Sequence, residues 1–329
     1  GVLGAVAAFL LLPPFTGQPA GRFDVLGFLA IATGLSSLLL ALSEGQSWGW
    51  TAYPTVILII LGLVCLALFV VIENAVENPL LDIRVFRVWP YTNSLLLISV
   101  LSIGLFSVLF YIPVYLQQAR GLGAFEAGLL LMPQALVMLV LMPVAGQIYD
   151  RIGARVPAVV GLTIMMIATY EMRDLTAVTS QGEIVTLLCV RALGTGLCMM
   201  PIMTSGISAV PPTIVSSASA FNNVVQRVSA ALGLAALTAF MTIQQAQLNA
   251  DRSGLMSPDM LPSLGSGETG QVLGTMMMYQ QTNTQVFVSA LDDVMYITTI
   301  MTAVAVVLAC FLRHGRSASA GGGGPAMAD

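Results

Sequence analysis

The 329-residue sequence has no lysine and a single histidine; all twelve of its basic residues are arginine. Charged residues make up 9% of it, where soluble domains carry about 25%. A water-soluble fold of this length needs a charged exterior, so that class is excluded. The net charge of −4 rests on few charges of either sign. No basic run of the kind that binds nucleic acid is present. The four cysteines, Cys65, Cys189, Cys198 and Cys310, each lie in an apolar run and form no C-x-x-C, and His314 follows the last run. That pattern argues against a disulfide framework or a metal site and leaves the cysteines as small packing residues. There is no H-E-x-x-H, no Ser/His pair and no carboxylate dyad at membrane depth, so an intramembrane enzyme is the weakest functional class.

What the sequence does hold is apolar residues, 57% of the total, gathered into long charge-free blocks. A helix needs roughly 20 apolar residues to cross a bilayer. Eight such spans are expected, at 25–43, 53–72, 91–116, 125–149, 156–170, 184–210, 217–242 and 292–312, which predicts an all-α polytopic membrane protein with lipid as its surroundings. Residues 1–12 are apolar but too short to span, and no basic region marks a signal peptide; they are read as the tail of a helix, and the chain as a fragment of a longer one. Trp48 and Trp50 sit where an interfacial aromatic belt would lie. Pro79 and Pro90 mark the charged connector at 73–90 as non-helical at those points. The polar, Met/Ser/Gly-rich stretch before the last span is expected to be a long loop, and the low-complexity tail to be disordered.

If the spans alternate, Arg22, Arg84, Arg87, Arg151, Arg155, Arg313 and Arg316 share one side, and Arg120, Arg173 and Arg252 the other. The positive-inside rule makes the first side cytoplasmic, with both chain ends. The run "AGQIYDRIGARVP" is then a tight cytoplasmic hairpin. Physical chemistry gives each of its residues a role. Gly146 allows close helix approach, Asp150 caps the next helix, Gly153 permits the turn, and Arg151 and Arg155 anchor the loop on the cytoplasmic side. Any cytoplasmic hairpin needs a turn and some arginine, so a purely structural role is also open.

The spacing Gly146, Asp150, Arg151, Gly153, Arg155 resembles the G-x-x-x-D-R-x-G loop motif of the major facilitator superfamily, in its weaker C-terminal copy, with one basic residue lost at Ala154. "RFDVLGFL", "NPLLDIRVFR" and "YIPVYLQQARGLGAFEAGLLLMPQAL" resemble stretches of its fourteen-helix drug:proton antiporter branch, in the right order. The resemblance implies a C-terminal six-helix transport bundle at 91–313, with a long extracytoplasmic loop at 243–290. Ahead of it would stand the remnant of a sixth helix at 1–13, a cytoplasmic loop at 14–24, a linker pair of helices at 25–72 and a cytoplasmic connector at 73–90; a cytoplasmic tail would follow at 314–329. It implies no cofactor: protons, moving down their gradient in the cell membrane, would drive efflux of amphipathic, often cationic, drugs by rocking of two bundles. The oligomeric state is left open. The family's proton-linked acid belongs to the half not present. A dedicated metabolite exporter and a transport-incompetent membrane scaffold are the alternatives.

Candidate site residues follow from polarity inside the spans. Arg191 lies within a span, where a charge costs about 2.5–3.5 kcal/mol. It is expected either to face a substrate cavity or a carboxylate, Glu126, Asp292 or Asp293, or to snorkel to the interface from about seven residues inside its helix. Asn222 and Gln226 lie four apart, as do Asn223 and Arg227. Gln134 interrupts its span, and Tyr111 and Tyr115 share a helix face. These are candidates for a polar patch of a substrate cavity, with interhelical hydrogen bonding the equal alternative. Met199 and Met203, beside Pro201, suit a pliable wall or simple core filling. The G-x-G of "RALGTGL" is read as close helix packing.

Overall fold

The computed structural model describes residues 24–76, 82–176, 178–255 and 268–312. The sequence expectations for 1–23, Pro79 and 313–329, including Arg22, His314, Arg313 and Arg316, lie outside these residues, as does the side chain of Arg252. The described residues form eight α-helices with short 3-10 turns: α1 (Val25–Trp48), α2 (Tyr53–Ala75), α3 (Trp89–Gln118), α4 (Ala124–Ile152), α5 (Arg155–Glu171), α6 (Gln181–Ser208), α7 (Val215–Leu255) and α8 (Glu268–Ala309). All eight contain stretches long and apolar enough to cross a membrane.

Local chemistry sets the boundaries. Asp24 accepts from Gly27 N at 2.9 Å and starts α1; Ser180 accepts from Glu183 N at 3.2 Å and starts α6. Pro90 stands in the first turn of α3 rather than outside a helix, because its missing N–H is one the first turn leaves unbonded anyway. Gly49 and Gly153 end α1 and α4 at φ 94° and 81°.

Two helices run further than expected. Of the stretch expected as a long loop, α7 takes in the part up to Leu255 and α8 the part from Glu268. Membrane length was the criterion in the sequence. Residues such as Gln and Met carry little helix penalty, so a helix extends past its apolar stretch.

Helix α3 is the hub, packing against α6, α7 and α8; α5 packs on α6 and α8, α4 on α6, and the α1–α2 hairpin lies beside α7. Contacts join helix ends in alternation. At one end the hydroxyl of Tyr91 donates to Ala218 O at 2.8 Å, and Ser94 Oγ to Ile202 O at 2.5 Å. At the other, Tyr115 donates to Thr176 O at 2.6 Å, and Gln244 Nε2 to Asp293 Oδ2 at 2.8 Å. In lipid, apolar burial does not drive helices together, and small residues allow close backbone approach instead. A Cβ built on Gly194 would stand 2.6 Å from the Gly161 carbonyl oxygen, so the glycine of "RALGTGL" is a packing glycine.

Candidate functional site

At a level about 10 Å inside the start of α7, a narrow cleft opens between three helices. Ile98, Leu101 and Ser102 line it from α3, Met199, Ile202 and Met203 from α6, and Asn222 and Gln226 from α7. It is tight in this conformation, with about 20 Å³ of room, enough for a water molecule. Pro201, at its α6 wall, has no N–H to give the carbonyl four residues earlier. Successive helix residues turn by about 100°, and this separates the two polar pairs of α7. Asn222 and Gln226 face the cleft, whereas Asn223 and Arg227 are exposed and Asn223 Nδ2 donates to its own backbone at Ser219 O, 3.0 Å away. Met199, Met203, Asn222 and Gln226 are thus brought together as one lining.

The other sequence candidates lie elsewhere. Tyr111 and Tyr115 do share a face, but both are buried toward the opposite end of α3, where Tyr111 Oη lies 3.0 Å from Thr238 Oγ1. Gln134 is half-buried on α4 and does not line the cleft. Arg191 meets neither expectation. It lies ten residues into α6 and is 5% exposed. Its Nη2 donates to Gly104 O at 2.6 Å and its Nε to Thr169 Oγ1 at 3.3 Å. Glu126 instead accepts from Gly123 N at 3.4 Å at the head of α4, and Asp293 from Gln244. Asp292, expected near a span end, lies inside α8 and borders an open groove with Arg173, Asp174 and Ser289.

The hairpin motif is corrected in two places. A Cβ on Gly146 would meet nothing within 4 Å, so among the described residues no neighbouring helix approaches closely at this glycine. Asp150 lies in α4 and does not cap α5, whose N-cap is Ala154 without a side-chain bond. Gly153 does make the turn. Asp150, Arg151 and Arg155 are all exposed, and the ion pair among the described residues is Arg173–Asp174 at 3.8 Å.

The chain is similar to the uncharacterized MFS-type transporter YhcA of Bacillus subtilis, 28% identical over 96% of this chain and 62% of that protein. It is similar to the lincomycin resistance protein LmrB of Listeria innocua, 29% identical over 78% of this chain and 55% of that one. The chain thus spans between half and two thirds of the length of these relatives. Its fold resembles the crystal structure of a bacterial homologue of the human lysosomal transporter Spinster, in an inward-facing and occupied conformation, with a TM-score of 0.53 at 15% identity over 86% of this chain and 64% of that one. The profile of the Major Facilitator Superfamily matches residues 2–234. With eight helices fit to cross a bilayer and a fold shared with a solved transporter, the chain belongs to the Major Facilitator Superfamily.

Proposed function

We propose that the whole protein exports drugs or other amphipathic small molecules by alternating access, in exchange for protons, and that this chain supplies the C-terminal bundle with two linker helices ahead of it. The observation that carries the reading is the cleft between α3, α6 and α7. Apolar side chains and two thioethers form its walls, and two amide side chains orient a ligand from one helix. Thioether walls re-pack around different shapes, which suits a broad substrate range. The resistance named for the Listeria relative is consistent with export of a drug. The packing of α3–α8 around α3, with α1–α2 as a hairpin beside α7, supports a six-helix bundle preceded by a linker pair.

The arginine distribution supports a cytoplasmic setting for the α4–α5 hairpin and for both chain ends, in the cell membrane. Asp150, Arg151 and Arg155 stand exposed on that hairpin. They are therefore free to engage the partner bundle and hold one state of the transporter closed at this face.

Inverted vesicles containing the protein expressed from its complete coding sequence test the reading. An amphipathic dye should accumulate when a pH gradient is imposed, and nigericin should release it. Accumulation indifferent to nigericin overturns proton exchange. No accumulation of any dye by folded protein overturns drug export and leaves a dedicated exporter or a scaffold. Met203→Trp, which fills the cleft, should lower dye accumulation at least tenfold if the cleft is the binding site.

A further inference from the structure

Asn222 is 2% exposed, and both atoms of its carboxamide, Oδ1 and Nδ2, are inaccessible to solvent and without a hydrogen-bond partner. The fold withholds the partner a helical asparagine ordinarily finds. Its neighbour Asn223 donates to the carbonyl four residues back, but the corresponding carbonyl for Asn222, that of Ala218, accepts the Tyr91 hydroxyl at 2.8 Å. Across the cleft, the Ser102 hydroxyl proton is committed to Ile98 O at 2.6 Å. An apolar residue of the same size would bury here at less cost, because an unpaired amide loses its hydration with nothing in return. Asn222 also lines the cleft, so a ligand that widens the cleft would meet the amide.

Among the described residues no charged side chain lines the cleft: its walls are Ile98, Leu101, Ile202, Met199 and Met203, and its polar groups are hydroxyl and amide. A cation entering it would shed water and find no counter-ion. A carboxamide offers a donor and an acceptor side by side, which pairs with the same two groups on another molecule.

We infer that Asn222 is the specificity-determining residue of this cleft, a neutral hydrogen-bond receptor that selects uncharged amphipathic substrates bearing a donor and an acceptor side by side, such as a primary amide or a lactam, on an apolar body. The inference rests on the export reading and names the substrate class of the same site. Substrates lacking the pair leave the amide unpaired, and that penalty is the source of discrimination.

Three matched fluorescent probes test it on the protein from its complete coding sequence in lipid nanodiscs: 1-naphthaleneacetamide, its methyl ester analogue, and (1-naphthylmethyl)trimethylammonium. Fluorescence titration should show the amide bound about tenfold more tightly than the ester, the worth of one net hydrogen bond, and the cation most weakly. Asn222→Leu should erase the amide preference while the ester binds as well or better. Asn222→Asp should bring the cation to the front. An amide preference that survives Asn222→Leu overturns the inference, as does a cation bound most tightly by the unsubstituted protein or equal binding of amide and ester, the result expected if the amide merely holds a water. Dye export continuing in those cases leaves the export reading standing. Failure of all three probes to bind, with Met203→Trp leaving dye export intact, removes the cleft as a ligand site and overturns the inference, while export itself still stands.

Discussion

The guanidinium of Arg191 holds the carbonyl of Gly104, at 2.6 Å from its Nη2, and through Nε reaches Thr169, so one buried cation ties α6 to α3 and α5 with no carboxylate beside it. Hydrogen bonds to carbonyl and hydroxyl dipoles do not fully replace the water it gave up. Replacement by an apolar residue of similar length is therefore expected to leave the fold intact. We predict that Arg191→Met inserts normally and keeps or raises the melting temperature in detergent, while dye export by the whole protein falls at least tenfold. A lowered melting temperature with unchanged export would make Arg191 a packing residue.

Gly161 and Gly194 face each other where α5 and α6 cross, each placing a new Cβ 2.6 Å from the other's carbonyl oxygen. The obstacle is backbone, which cannot rotate aside. Either Gly→Ala change should cost about 1–3 kcal/mol, read as a fall in melting temperature. The double variant should cost less than the sum, because one separation of the helices relieves both clashes.

Gly146 makes the opposite case within the hairpin motif. Its Cβ position is open, and alanine is a better helix residue than glycine by about 0.5–1 kcal/mol. Gly146→Ala should therefore hold or raise the melting temperature. A loss of export at preserved stability would show that this glycine is needed for contact with the partner bundle in another state.

Gly153 ends α4 at φ 81° and ψ −177°, a backbone region that belongs almost wholly to glycine. Gly153→Ala should destabilise the hairpin by about 1–3 kcal/mol. Faster protease cleavage between α4 and α5 would report it; cleavage at the unsubstituted rate would contradict the strain argument.

The turn between α5 and α6 is strapped to the end of α3 by two donors: Tyr115 to Thr176 O at 2.6 Å, and Arg120 to Thr179 O. Tyr115→Phe removes one strap, worth about 0.5–1.5 kcal/mol. Amide hydrogen exchange at Thr179 should accelerate by up to about tenfold, while amides in the middle of α3 exchange as before. Unchanged exchange at Thr179 would mean that Arg120 suffices.

Charge content and the length of apolar runs determined, from sequence alone, a helical membrane chain with eight spans, because the bilayer imposes a fixed thickness and tolerates little charge. The same information identified Asn222 and Gln226 as polar for their surroundings, and left Met199 and Met203 as a pliable wall or core filling. Their meeting in one cleft was decided by the crossing of α3, α6 and α7, since a helix-period pattern shows which residues share a face but not which face meets which neighbour. Tertiary structure also decided the partners of Arg191: its nearest carboxylates in expectation are taken by Gly123 and Gln244 or turned to a groove, and a backbone carbonyl on α3, invisible in any residue pattern, receives the charge instead. Gly146 and Gly153 divide in the same way. Both are glycine in the same motif, and only the backbone dihedral and the space around each show that Gly153 makes a turn while Gly146 faces open space.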